Sequence, residues 1–187
     1  MHAPRTRRGP DRDRRLAGHR DGRGGPLRSA EDAAHFQREV DRLKSRYPHP
    51  RSAVMDALRL AQENHGGWLP PEALGEVADA MDLAPAQVEA VATFYDMYNL
   101  QPVGRHIVEV CTNVSCALVG AQQVVDAFEE QLGILPGETS DDGEVTFRLI
   151  ECAGGCGYAP VVAIDNRYRE PTKPEDVPAL VEEIRSG

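Results

Sequence analysis

An α/β domain preceded by a small helical bundle is the fold class that this sequence predicts. Between residues 30 and 100 apolar side chains recur at helical spacing, and from Gln101 the period shortens to strand-like alternation. The second half then reads strand, helix, strand, strand, strand, helix, an order that closes on itself as a two-layer α/β unit. The chain's 187 residues are enough for one or two domains with their own cores. Aromatics make up only 5%, so those cores must be mostly aliphatic.

Residues 1–29 contain nine arginines, three aspartates, five glycines and three prolines, with Met1, Leu16 and Leu27 as the only large apolar side chains. Such a segment buries too little surface to offset the entropy of ordering and is expected to be a disordered extension. The segment is expected to be dispensable, and its arginines otherwise suit an arm for a polyanion or a partner. The paired arginines lack a following apolar stretch, and Asp11, Asp13 and Asp21 spoil a transit peptide.

Residues 30–100 are expected to form the helical bundle. Phe36, Val40 and Leu43 mark a first helix that ends near Tyr47-Pro48. Val54, Met55, Leu58 and Ala61 mark a second, stopped by Gly66-Gly67. Leu74, Val77, Ala78 and Met81 follow Pro70-Pro71, where the missing N–H costs least. Val88, Val91, Ala92 and Tyr95 repeat the spacing after Pro85. Trp68 is expected as a core anchor. Phe94, Tyr95, Met97 and Tyr98 are expected to pack between the bundle and the domain that follows. His35, His49 and His65 are expected to be exposed or capping.

Residues 101–187 are expected to form the α/β domain. His106, Val108 and Val110 alternate with Ile107, Glu109 and Cys111 in a strand that ends at a cysteine. Leu118, Ala121, Val125, Phe128 and Leu132 fit one amphipathic helix. Val145, Phe147 and Leu149 define a second strand and Val161 to Ile164 a third. The turn signal Asp165-Asn166 predicts a hairpin return over Arg167 to Glu170. Thr172-Lys173-Pro174-Glu175 resembles a capping box before a closing helix built on Val177, Leu180, Val181 and Ile184.

Composition and motifs exclude several function classes. Outside the first 29 residues, 12 basic and 27 acidic side chains give about −15, which disfavours nucleic acid as a partner. No apolar run approaches the about 20 residues of a bilayer span, so no direct membrane insertion is expected. No dinucleotide or phosphate-binding glycine fingerprint is present, and nothing resembles a nucleophile–His–acid arrangement. No catalytic residue is expected on this chain.

The four cysteines carry the chemistry, because each pair stands just past a predicted strand end. Cys111 and Cys116 enclose Thr112-Asn113-Val114-Ser115, and Cys152 and Cys156 enclose Ala153-Gly154-Gly155. Adjacent strands would bring both loops to one sheet edge, where four soft thiolates suit a [2Fe–2S] cluster or zinc. Structural zinc usually takes closer pairs, and cluster ligation tolerates unequal ones. Gly154, Gly155 and Gly157 let main-chain N–H groups approach an anionic centre. Spacing alone leaves three readings: cluster, zinc, or a dithiol without metal.

Longer motifs narrow the choice. Val110-Cys111-Thr112-Asn113-Val114-Ser115-Cys116-Ala117-Leu118-Val119-Gly120-Ala121 resembles the first cluster loop of the thioredoxin-like [2Fe–2S] subunits of respiratory complex I, the NADH–quinone oxidoreductase of bacteria. Glu151-Cys152-Ala153-Gly154-Gly155-Cys156-Gly157-Tyr158-Ala159-Pro160 resembles that family's second cluster loop. Gly67-Trp68-Leu69-Pro70-Pro71-Glu72, Val91-Ala92-Thr93-Phe94-Tyr95 and Tyr98-Asn99-Leu100-Gln101-Pro102-Val103-Gly104 resemble its helical-domain and junction motifs. The resemblance covers roughly residues 35–186 in order. It departs at Ala153, where the family often has a larger apolar residue, and at the doubled Gly154-Gly155. The arginine-rich extension has no counterpart in it.

The resemblance implies a thioredoxin-like [2Fe–2S] ferredoxin domain with one cluster on Cys111, Cys116, Cys152 and Cys156. It implies an electron-transfer subunit of an NADH dehydrogenase complex. FMN and NADH are then expected on a flavin-binding partner subunit, with further iron–sulfur subunits beside it. It implies a cytoplasmic location, peripheral on the inner membrane through the complex. Equivalent subunits of NAD-dependent formate dehydrogenases and NAD-reducing hydrogenases fit the same motifs. A zinc-stabilised interaction module is the alternative of a different class.

Overall fold

The computed structural model describes residues 30–186, so the expectation for the arginine-rich segment 1–29 lies outside the described residues. Four helices come first: α1 (Ala30–Lys44), α2 (Val54–Asn64), α3 (Pro71–Met81) and α4 (Pro85–Phe94). Proline occupies the first turn of both α3 and α4, and Gly66 and Gly67 end the α2 segment at positive φ. Their apolar stripes enclose one core around Phe36, Val40, Leu58, Leu69, Val77 and Val88. No helix of the described residues is long and apolar enough to cross a membrane.

The second half builds a five-stranded sheet in the order β2-β3-β1-β4-β5. The strands are β1 (His106–Cys111), β2 (Glu138–Thr139), β3 (Val145–Ile150), β4 (Val162–Ile164) and β5 (Arg167–Arg169). β1 runs parallel to β3 and antiparallel to β4, and β5 returns antiparallel on β4. Asp165 and Asn166 both take positive φ in that hairpin turn, the backbone a two-residue loop of this kind requires. Helices α5 (Val114–Leu118), α6 (Ala121–Leu132) and α7 (Val177–Ser186) complete the order. Val108, Val110, Phe147, Val162 and Ile164 pack with α6 and α7 as a second, separate core. The other sheet face carries Glu109, Thr146, Arg148 and Ala163 at alternate positions.

Between the two cores runs a junction that Gly104 makes possible. A Cβ there would stand 2.8 Å from the Val145 backbone, so no larger residue fits. Its N–H donates to Thr146 Oγ1 at 2.6 Å.

Several expectations are corrected. The single helix expected from Leu118 to Leu132 is broken at Gly120, whose φ is +106°, and Leu118 is exposed rather than packed. Trp68 is only half-buried, and its neighbour Leu69 fills the core instead. Of the aromatic and methionine stripe, only Tyr98 is buried, inside the helical core and donating to Met55 O at 2.8 Å. Phe94, Tyr95 and Met97 are exposed. His35 and His49 are exposed as expected, and His65 takes the C-cap of α2, although it is buried there, 2.8 Å from Glu76 Oε2. The cap falls on Lys173, whose N–H donates to Asp176 Oδ2 at 2.9 Å, and it opens a 3-10 turn, Pro174–Asp176, that leads into α7. The short edge strand β2 is an element that the sequence pattern does not predict.

Candidate metal centre

Two parallel neighbours bring the cysteine pairs to one end of the sheet. Cys111 pairs in register with Ile150, and Thr112 N donates to Ile150 O at 3.1 Å as the two strands finish together. From there the chain of β1 turns into α5, with Asn113 capping it by accepting from Val114 N at 2.9 Å, and Cys116 sits one turn in. The chain of β3 runs on to Cys152, loops through the glycines, and reaches Cys156 at the start of a 3-10 turn.

The two pairs differ in environment. Cys111 and Cys116 are buried in a small apolar cluster with Ala121 and Val161, whereas Cys152 and Cys156 are exposed. Burial pushes the Cys111 thiol up, but main-chain N–H groups of Ala153 and Asn113, with the Cys116 and Cys152 thiols, outweigh it and leave a net lowering. For Cys116 burial dominates and the Cys111 and Cys156 sulfurs add to it, so its thiol is raised despite the Val161 N–H. Gly154 N also donates to Cys152 Sγ at 3.3 Å.

Among the described residues, no group of three or more His, Cys, Asp or Glu side chains stands at metal-ligand spacing. The donor set nevertheless fits an anionic tetrathiolate centre. It is all sulfur, and main-chain N–H groups already serve the Cys111, Cys116 and Cys152 sulfurs, the donors such centres use. Gly155 fits the same picture, because a Cβ there would meet Val161 Cγ2 at 2.9 Å and Glu170 Oε2 at 3.2 Å.

Two surfaces border the thiols. Val114, Leu118, Val119 and Tyr158 are large, exposed apolar side chains on the two cysteine segments. On the other side, a cleft of about 800 Å³ runs between the end of the helical bundle and the open sheet face, and it reaches Cys152 and Ala153. Sequence reading missed the residues that brace this region: Asn99, Arg148, Tyr168 and Glu170. Only the expected hairpin over Arg167 to Glu170 could have pointed to the last two.

Residues 40–185 match the model of the thioredoxin-like [2Fe–2S] ferredoxin family, a span that holds all four cysteines. An NADH-quinone oxidoreductase subunit of Mycobacterium tuberculosis is 39% identical over 153 residues, covering 82% of this chain and 60% of that protein. The chain thus spans about 60% of the length of that mycobacterial relative. An NADH-quinone oxidoreductase subunit of Rhizobium meliloti is 38% identical over 152 residues, 81% of this chain and 90% of that one. Among solved structures, an NAD+-reducing [NiFe]-hydrogenase in the air-oxidized state superposes with a TM-score of 0.62 at 25% identity, over 71% of this chain and 23% of the other.

Proposed function

Since this chain belongs to the thioredoxin-like [2Fe–2S] ferredoxin family, we propose that it carries one [2Fe–2S] cluster on Cys111, Cys116, Cys152 and Cys156 and passes electrons as a subunit of an NADH–quinone oxidoreductase. The observation that carries the ligand assignment is the parallel β1–β3 pair, which delivers both cysteine segments to one sheet end. The likeness to NADH-quinone oxidoreductase subunits of two bacteria supports the complex to which it is assigned.

The cluster, when bound, supplies one-electron chemistry at a potential set by its surroundings. The chain's own residues set those surroundings. Cys111 and Cys116 hold the protected half, away from water. Main-chain N–H groups of Asn113, Ala153, Gly154 and Val161 offset negative charge on the sulfurs. Cys152 and Cys156 form the exposed half, where an electron partner reaches closest. The apolar rim of Val114, Leu118, Val119 and Tyr158 gives the flavin-binding partner a dry contact beside them.

Hydride chemistry belongs to that partner, with its FMN and NADH. A hydride carries two electrons and needs an organic acceptor before single electrons pass to iron. Peripheral attachment on the cytoplasmic side of the membrane, through the complex, follows from the same assignment. The superposition on an NAD+-reducing hydrogenase favours a second home for the same electron-transfer role.

An anaerobic assay with NADH tests the proposal. The isolated chain should neither oxidise NADH nor develop the signal of a reduced cluster, and both should appear once the flavin-binding partner is added. NADH oxidation by the flavin-free chain, or no electron reaching it in the presence of the partner, would overturn the assignment.

A further inference from the structure

We infer that Tyr168 is a positioning residue for the exposed half of the centre: from β5 it clamps the second cysteine loop, a role that rests on the cluster reading above. The two cysteine segments are anchored very differently. The first is held by the sheet and by a capped helix, with Cys111 N donating to Val161 O at 3.0 Å and Asn113 capping α5. The second leaves β3, takes Gly154 through a left-handed φ of +79° and is exposed at both of its cysteines.

An extended run on the outgoing hairpin holds that second loop. The Tyr168 hydroxyl donates to Ala153 O, in the middle of the loop and next to Cys152. Two residues on, Glu170 Oε2 walls the loop at Gly155. Two further on, Thr172 N donates to Pro160 O at 2.9 Å, at the loop's exit. Tyr168 pairs with Ala163 on β4, and Ala163 with Glu109 on β1. The clamp therefore ties the loop to the strand that carries Cys111.

The Ala153 carbonyl that accepts from Tyr168 belongs to the residue directly after Cys152. Holding that peptide plane fixes the path of the backbone at Cys152. Without the hydroxyl, that peptide is free to turn, and the exposed thiolates lose their fixed distance from the buried pair.

The experiment compares full-length wild type with Tyr168→Phe, which keeps the ring and removes only the hydroxyl. Tyr47→Phe, which removes a hydroxyl bond to Asp56 in the helical half, is the control. Iron and sulfide in the wild type are measured first, because their absence sinks the cluster reading without touching the clamp. In loaded protein, Y168F should lose iron to a chelator about fivefold faster, the worth of one ordinary hydrogen bond, with altered g-values of the reduced cluster. In protein purified without a cluster, iodoacetamide should modify Cys152 and Cys156 about fivefold faster in Y168F, with Cys111 and Cys116 unchanged. Behaviour like wild type, an equal effect in Y47F, or faster modification of all four cysteines would each overturn the clamp.

Discussion

Glu109 and Arg148 stand opposite each other across the parallel β1–β3 pair, with Arg148 Nη2 2.6 Å from Glu109 Oε1. The same guanidinium donates through Nη1 to Asn99 Oδ1 at 2.9 Å, and Asn99 Nδ2 donates to Gly67 O at 2.8 Å. One side chain therefore joins the open sheet face to the end of the helical bundle. It does so on the two strands that deliver the cysteines.

Arg148→Met leaves the largely buried Glu109 carboxylate without its cation and Asn99 without a donor. The variant should lose about 1–3 kcal/mol in urea denaturation. Adding Glu109→Gln should recover part of that loss, because the stranded charge is then gone. A strictly additive double mutant would show that the pair is not coupled.

The glycines at Gly104 and Gly155 should respond as steric limits. Gly104→Ala places a methyl 2.8 Å from the Val145 backbone, which cannot move without distorting β3. A loss of about 1–3 kcal/mol is expected from such overpacking. Gly155→Ala meets the side chains of Val161 and Glu170, so it should displace the cysteine loop and reduce bound iron while lowering the melting temperature less than Gly104→Ala does. Equal iron content in Gly155→Ala and wild type would contradict this.

Much of this architecture is legible in the sequence because the relevant signals are local. Gly66-Gly67, Pro71 and Pro85 punctuate the helices, and alternation through Val108 and Val110 marks a strand whose end is a cysteine. The hidden parts depend on distant partners. Helical spacing places Phe94 and Tyr95 on a stripe but does not say whether the stripe meets a core, and here it meets solvent. Leu118 fits the period of α6, yet Gly120 turns the backbone away before that helix starts. Arg148, Glu109 and Asn99 come together only through pairing across 39 and 49 residues. The tie between Tyr168 and Ala153 likewise needs the hairpin folded first.

Tyr98 gives the fold a pH signature. Burial, with Asp56 and Tyr95 nearby, pushes its hydroxyl from 10.0 up to about 12. The folded state holds this proton more tightly than the unfolded chain does. The stabilisation is fully present below pH 10 and is lost as the pH rises towards about 12. Tyr98→Phe should flatten that alkaline decline in melts followed from pH 9 to 12. It should also cost about 1 kcal/mol at neutral pH through the lost bond to Met55 O. An unchanged alkaline slope would assign the decline to other groups.

Chemical analysis of anaerobically purified protein decides whether Cys111, Cys116, Cys152 and Cys156 hold a [2Fe–2S] cluster. About two iron and two acid-labile sulfide per chain are expected. Replacing any one of the four cysteines by serine should lower both together, because a harder oxygen replaces a soft thiolate. Equimolar zinc with no sulfide in the wild-type chain would mean that the four thiolates hold zinc and no cluster.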